Sequence, residues 1–258
     1  MTLFRCEISC PIFYNNKAIC HFFLLFAASL LISSEVLAQS PYQLSGTREG
    51  ILFGTSIGSL TFSQSKYKKM PPLTLAEISV LKREDILAID RGSTYNRSEF
   101  ARKFSDQILM TSIAPPLLML VDRRSRLDFD RIGLFTIQTL LVNAAITDLA
   151  KVLVKRKRPY VYNEFTEINR KLSKKARVSF FSGHTSTVSS MYFLTAKLYS
   201  DYYPDSKWKG AIWSSAILIP ATTGLLRIKA GKHYFTDVLT GFLVGATVGI
   251  LIPELHRI

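Results

Sequence analysis

The sequence predicts an all-α fold: an integral membrane helical bundle of five to six transmembrane helices. Three observations predict it. Hydrophobic residues make up 48% of the 258-residue chain and fall in long blocks with almost no charge. The polar stretches that carry histidines stand at the ends of those blocks. The helical runs also lack the broad polar face of a surface helix in water, which sets aside the alternative of a soluble bundle.

Residues 1–38 have the pattern of an export signal. Lys17 supplies the positive flank, AICHFFLLFAASLLIS the apolar region and Val36-Leu37-Ala38 the small-residue cleavage site. An uncleaved first transmembrane helix is the alternative. Cys6, Cys10 and Cys20 all lie in this segment, so the mature chain is expected to have neither a disulfide framework nor a thiol nucleophile. Residues 39–102 form an N-terminal region. Within it, 48–63 is a short Gly- and Ser-rich apolar run that packs closely or spans with help from its flanks. Residues 73–89 have the pattern of an amphipathic helix, with Thr74 and Glu77 at capping-box spacing. Residues 103–254 form the main domain. Its apolar blocks are 107–121, 132–154, 186–199, 211–226 and 238–253. A helix needs about 20 mostly apolar residues to cross a bilayer, and flanking residues at headgroup level bring each block to that length. Pro115-Pro116 is expected to kink the first block. Residues 155–179 form a basic loop, and 200–209 a tight polar connection.

Three stretches stand at helix ends: KVLVKRKRP at 151–159, FFSGHTS at 180–186 and RIKAGKHYFTD at 227–237. Alternating crossings put them all on one membrane face, which places the active site there. Lys151, Arg158 and Arg227 bring three cations, and arginine grips phosphate oxygens in a bidentate way. Ser182, Gly183 and His184 open a helix, where free amides and the helix dipole favour an anion. Gly183 lets the backbone approach closely. His233 and Asp237, four residues apart, are neighbours at a helix start. A carboxylate on one imidazole nitrogen fixes the tautomer and frees the other nitrogen as a nucleophile. His184 is then available to protonate a leaving oxygen. Asp148, three residues before Lys151, is a partner that steadies it. Asp122, Asp128 and Asp130 sit among four arginines and are expected in a solvated loop. His256 is left as an ordinary C-terminal residue.

Taken in order, Lys151-x6-Arg158-Pro159, Phe181-Ser182-Gly183-His184 and Arg227-x5-His233-x3-Asp237 resemble the three signature motifs of the type 2 phosphatidic acid phosphatase and vanadium haloperoxidase superfamily. The resemblance covers residues ~100–253 and is closest in general look to bacterial membrane members. Two positions depart from it: Phe181 stands where the family often has Pro, and Leu226 where it often has Ser. The resemblance implies that His233 attacks phosphorus, forming a phosphohistidine, and that Asp237 orients it. His184 would protonate the leaving alkoxide and then activate water. Lys151, Arg158, Arg227, Ser182 and the Gly183 amide would hold the phosphate oxygens. No cofactor and no metal are implied, since the nearby acids are too few for a magnesium cage.

The expected function is therefore a membrane phosphatase acting on a lipid phosphate or lipid pyrophosphate. Candidate substrates are phosphatidic acid, phosphatidylglycerol phosphate, undecaprenyl diphosphate and a lipid A phosphate. The alternatives are a vanadate-dependent haloperoxidase, whose relatives are larger and soluble, and a non-catalytic lipid-binding membrane protein, which leaves the His/Asp/Arg constellation unexplained. The expected partners are the lipid substrate and the bilayer, with no nucleic acid and an open oligomeric state. The expected location is the bacterial inner membrane. Arg123, Arg124, Arg126 and Arg131 favour a cytoplasmic 122–131 loop, which turns the site to the periplasm and leaves 48–63 packed at the interface or only partly inserted.

Overall fold

A computed structural model describes residues 40–258, so the expectation of an export signal over 1–38 lies outside the described residues. The described chain is helical: α1 (Gly46–Lys69), α2 (Leu75–Ser79), α3 (Ala88–Arg91), α4 (Glu99–Thr111), α5 (Ala114–Leu118), α6 (Arg123–Arg126), α7 (Phe129–Val154), α8 (Ile168–Lys171), α9 (Gly183–Tyr202), α10 (Lys209–Lys229) and α11 (Phe235–Glu254).

Four helical stretches are long and apolar enough to cross a membrane: Glu99–Val121, Phe129–Tyr162, Lys209–Lys229 and Phe235–Glu254. The expected span at 186–199 and the possible sixth at 48–63 form helices, α9 and α1, that fall outside this set of four among the described residues. In α9 the reason is its position. It packs against α10, α11 and α7 at the centre of the bundle, so Ser186, Ser189, Ser190 and Thr195 are buried against protein. A helix surrounded by helices needs no apolar circumference, because its small polar groups find partners inside. The Ser189 hydroxyl donates to the Phe242 carbonyl at 2.8 Å. Glycines on α11 let the two backbones touch. A Cβ at Gly241, Gly245 or Gly249 would lie 2.6, 2.2 or 2.4 Å from the carbonyl oxygens of Ser182, Ser186 and Ser190. Only a residue without a side chain fits there.

α1 is longer and more regular than its sequence suggests. It runs parallel to α7. Glu49 meets Gln138, the Ser59 hydroxyl reaches the Ala145 carbonyl at 3.4 Å, and Gln64 reaches Asp148 at 3.4 Å. Of the readings of this run, close packing against other helices is the one seen, as a helix laid along α7. Its Glu49 in the first turn and its Lys66, Lys68 and Lys69 in the last also complement the helix dipole.

The segment 73–89 is the clearest correction. Its capping box forms, with Thr74 and Glu77 bonded reciprocally, but the helix ends at Ser79 and a 3-10 turn and α3 follow. Leu73, Ile78 and Leu81 turn inward to pack with Tyr160, Val161 and Ala176. Leu75, Val80, Leu87 and Ile89 remain exposed. Pro115 and Pro116 interrupt the helix, as expected, with α4 ending at Thr111 and α5 opening at Ala114.

Two other expectations change at the end of the bundle away from the motifs. Asp128 is buried, held by Arg131 at 2.7 Å and the Tyr202 hydroxyl at 2.9 Å, and not solvated. His256 is fully buried. Its Nδ1 faces the Ile252 carbonyl at 2.6 Å and its Nε2 faces Glu49 at 2.9 Å, so it staples the chain end to the start of α1. The largest apolar cluster lies at this end and includes Tyr42, Phe135, Leu194, Leu198 and Ile252. The opposite end is left to the polar site.

Candidate active site

The motif residues meet where α7, α9, α10 and α11 end. α7 stops at Lys155, which takes the left-handed conformation as C-cap, and the basic loop then folds back on itself. Its two ends are paired by Arg158 N to Ala176 O at 2.8 Å and by Ser179 N to Arg156 O at 2.9 Å. The start of α9 is tied to α11 by Ser182 N donating to the Asp237 carbonyl at 3.0 Å.

His233 and Asp237 come together as the spacing predicts. His233 is 2% exposed, and its Nδ1 lies 3.5 Å from Asp237 Oδ2, an ion-pair distance rather than a tight hydrogen bond. Burial, helped by the charge of Arg158, holds the His233 imidazole well below the usual histidine range, so it is neutral. His184 opens α9 on the same face. Its Nε2 faces the carboxylate of Asp106 at 2.8 Å.

The cations take their places around this pair. Lys151 Nζ sits 3.3 Å from Asp148, the steadying contact predicted for it. It also presses against Gly183, where a Cβ would lie only 3.1 Å from that Nζ. Arg158 spends its donors on the carbonyls of Lys175 (2.9 Å), Val178 (3.1 Å) and Lys232 (3.4 Å), which fixes its guanidinium in the loop. Arg227 is buried and donates to Ser105 at 3.1 Å and Asp106 at 3.0 Å. Ser182 stands beside these cations at the start of α9. It is the N-cap of α9, fully buried, with its hydroxyl 2.9 Å from that of Thr185. Lys232 adds an amine that the motifs do not name. Burial and the charges of Arg158, Arg170 and Arg227 lower its pKa to about 6. Among the described residues, no group of three or more His, Cys, Asp or Glu side chains is placed to hold a metal ion.

Two imidazoles, a buried carboxylate behind one of them and a ring of cations thus share one helix-end face. Residues 133–257, which contain all three motif stretches, match the PAP2 superfamily. That region is of the PAP2 superfamily. The chain is 29% identical over 135 residues to Phospholipid phosphatase 1 of Rattus norvegicus, covering 42% of the chain and 46% of that protein. It is 30% identical over 132 residues to Phospholipid phosphatase 2 of Rattus norvegicus, covering 43% of the chain and 47% of that protein. The chain spans about half the length of the curated relatives it matches. It is also similar to a protein whose structure is described as the crystal structure of the first transmembrane PAP2 type phosphatidylglycerolphosphate phosphatase from Bacillus subtilis. That match has 18% identity and a TM-score of 0.46, and covers 94% of this chain and 96% of that one.

The PAP2 motifs do not name every residue gathered here. Asp106 accepts from Arg227, lies 2.8 Å from His184 Nε2 and pairs with Arg102 at 2.9 Å. The apolar block drawn at 107–121 begins one residue after it. An acid at the edge of a membrane helix is itself a signal, and that signal was available. Arg156 lies inside the first motif, but the motif spacing passes over it. Asp90 and Ser179 carry no pattern that marks them in sequence.

Proposed function

We propose that the chain is an integral membrane phosphatase that hydrolyses a lipid phosphate or lipid pyrophosphate through a phosphohistidine intermediate. The observation that carries the proposal is the pairing of a buried, neutral His233 with Asp237, opposite His184 and among Lys151, Arg158 and Arg227. With its Nδ1–H turned to Asp237, His233 presents a lone pair on Nε2. That nitrogen attacks phosphorus, a P–N bond forms and the P–O bond to the lipid breaks. His184 gives a proton to the departing oxygen. In the second step His184 takes a proton from water, the hydroxide attacks phosphorus and the P–N bond breaks. Inorganic phosphate leaves and His233 is restored. The cations and the amides that open α9 stabilise the charge gathering on the phosphoryl oxygens.

Helix ends at headgroup level suit a substrate whose tail stays in the bilayer. α1 and α9 join the four apolar stretches as protein-packed members of the bundle, which makes six passes. The arginines of 122–131 favour a bacterial inner-membrane protein with its site facing the periplasm. With α1 parallel to α7, that orientation starts α1 in the cytoplasm. Export of Gln39 by a cleaved signal would instead put the site there.

The test is phosphate release by purified protein from phosphatidic acid, phosphatidylglycerol phosphate, undecaprenyl diphosphate and a lipid A phosphate. Release from one or more of these by the wild type, and none by His233→Ala, supports the proposal. Equal release by both proteins would refute it.

A further inference from the structure

We propose that Asp90 and Arg156 are positioning residues for the reaction, holding Asp237 in place behind His233 and setting the charge that His233 feels. The assignment rests on His233 being the nucleophile. It brings into the catalytic centre a residue, Asp90, that lies ahead of the 133–257 region matched to the family.

The contacts form one chain. Arg156 Nη1 donates to Asp237 Oδ1 at 2.6 Å and to the Thr236 hydroxyl at 2.8 Å. Arg156 Nη2 donates to Asp90 Oδ2 at 2.7 Å. The guanidinium lies over the Tyr234 ring, 4.0 Å from its centroid. Asp90 also accepts the Thr236 amide at 2.9 Å and the Thr236 hydroxyl at 2.6 Å. The other Asp237 oxygen, Oδ2, accepts the Ser179 hydroxyl at 2.5 Å and the Tyr234 amide at 3.1 Å. With both oxygens held, the carboxylate has one available orientation, and it is the one that keeps Oδ2 beside His233 Nδ1.

The charge arithmetic gives Asp90 its role. Both carboxylates are fully buried, and a buried carboxylate is costly unless it is paired. Arg156 alone would cancel Asp237 and leave His233 facing a neutral pair. With Asp90 on its other side, Arg156 is shared and one negative charge is left over. The charges that most oppose it at His233 are those of Arg158 and Arg227, both cationic. As Nε2 bonds to phosphorus, the ring gains positive charge, and the surplus negative charge stabilises it at that moment. Lysine at 156 would keep the positive charge but lose the fork that reaches both carboxylates.

The experiment compares Asp90→Asn and Arg156→Lys with the wild-type protein, using the lipid phosphate on which the wild type is most active. Asp90→Asn is expected to lower kcat on the order of 10-fold with KM unchanged, the pattern of an interaction made in the transition state. Loss of a negative neighbour lowers the His233 pKa further, so the acid limb of the kcat/KM profile should move to lower pH. Arg156→Lys should lower kcat in the same way. Vanadate binding to Asp90→Asn should also weaken on the order of 10-fold, a readout that needs no turnover. Wild-type kcat, pH limb and vanadate affinity in Asp90→Asn would overturn the assignment while leaving the phosphatase reading intact. So would a lowered melting temperature with no change in kcat or pH limb, which would make Asp90 merely structural. A wild-type protein that neither releases phosphate nor binds vanadate would remove the phosphatase reading and this assignment with it.

Discussion

Nε2 of His184 lies 2.8 Å from Oδ1 of Asp106, and the same oxygen accepts from Arg227 at 3.0 Å. The carboxylate favours the protonated imidazole and offsets the cation that opposes it. Asp106→Asn keeps the size and one acceptor but removes the charge. It is expected to lower kcat on the order of 10-fold for substrates with poor leaving groups, and less for p-nitrophenyl phosphate, whose leaving group needs little proton help. His184 has to be protonated in the substrate complex, so the alkaline limb of kcat should move to lower pH. Steady-state kinetics across pH would check both.

His233→Ala should abolish turnover in all substrates, since the other imidazole of the site, His184, has its Nε2 engaged by Asp106 and serves proton transfer in the proposed reaction. His184→Ala should lose on the order of 10² or more in kcat. With p-nitrophenyl phosphate it should still form the P–N bond but hydrolyse it slowly. Acid-labile, base-stable label trapped on His184→Ala, and absent from the double variant with His233→Ala, is the expected result.

The titration of the buried site bases predicts how stability follows pH. Burial and the charge of Arg158 hold the His233 imidazole well below its ordinary value of 6.5. The unfolded chain therefore binds a proton that the native protein refuses, and stability falls as pH drops below about 6.5. Lys232, lowered to about 6, acts with the same sign over the range from 6 to its ordinary 10.5. The melting temperature in detergent should rise from pH 5 to pH 8. Inorganic phosphate should flatten that rise, because an anion at the site restores the protons. Isothermal titration in buffers of different ionisation enthalpy should show proton uptake on phosphate binding.

Gly245 meets the Ser186 carbonyl, where a Cβ would lie 2.2 Å away. Gly245→Val has to push α9 from α11. The expected cost is about 1–3 kcal/mol or more, as for other overpacked interiors. A lower melting temperature and reduced kcat would appear together, since the separation moves His184 relative to His233. Gly58→Val, at a position with nothing within 4 Å of its Cβ, serves as the control and should leave both unchanged.

Membrane sidedness is testable because every cysteine lies in 1–38. In a background with Cys6, Cys10 and Cys20 changed to Ser, single cysteines replace exposed Asn169 and exposed Lys207. Ser125 is unsuited to this purpose, being fully buried and bonded to the Met119 carbonyl. With an intact inner membrane and a permeabilised outer envelope, Asn169→Cys should react with an impermeant thiol reagent and Lys207→Cys should not. The reverse pattern would put the site in the cytoplasm.

Much of the site was legible because its chemistry sits in short local motifs: His233 with Asp237, Asp148 with Lys151, Ser182 before its helix. Those pairs depend on helical spacing alone. Asp90 and Asp106 were missed because their meaning arises over distances of 66 to 146 residues along the chain. α1 was underrated because its stability comes from lying on α7, and not from its own composition. Likewise 73–89 shows helical spacing, yet Tyr160 and Val161 claim Leu73 and Leu81 and the helix stops. His256 looked ordinary because nothing local marks its partner, Glu49, at the other end of the described chain.

Backbone contact between α9 and α11 along Gly241, Gly245 and Gly249 makes those two helices a single girder, and both imidazoles ride at its tip. The distance between His184 and His233, the proton donor and nucleophile of the proposed reaction, is then insulated from breathing of the bundle. Lys151, Arg158 and Arg227 belong to α7, the loop after it and α10, and these helices meet the girder through side chains, Lys151 at Gly183 and Val238 at Gly224. The aperture of the site can widen or narrow on that side alone. Headgroup size becomes adjustable by substitutions in α10 and in loop 160–181, while the spacing of the two reacting nitrogens stays fixed.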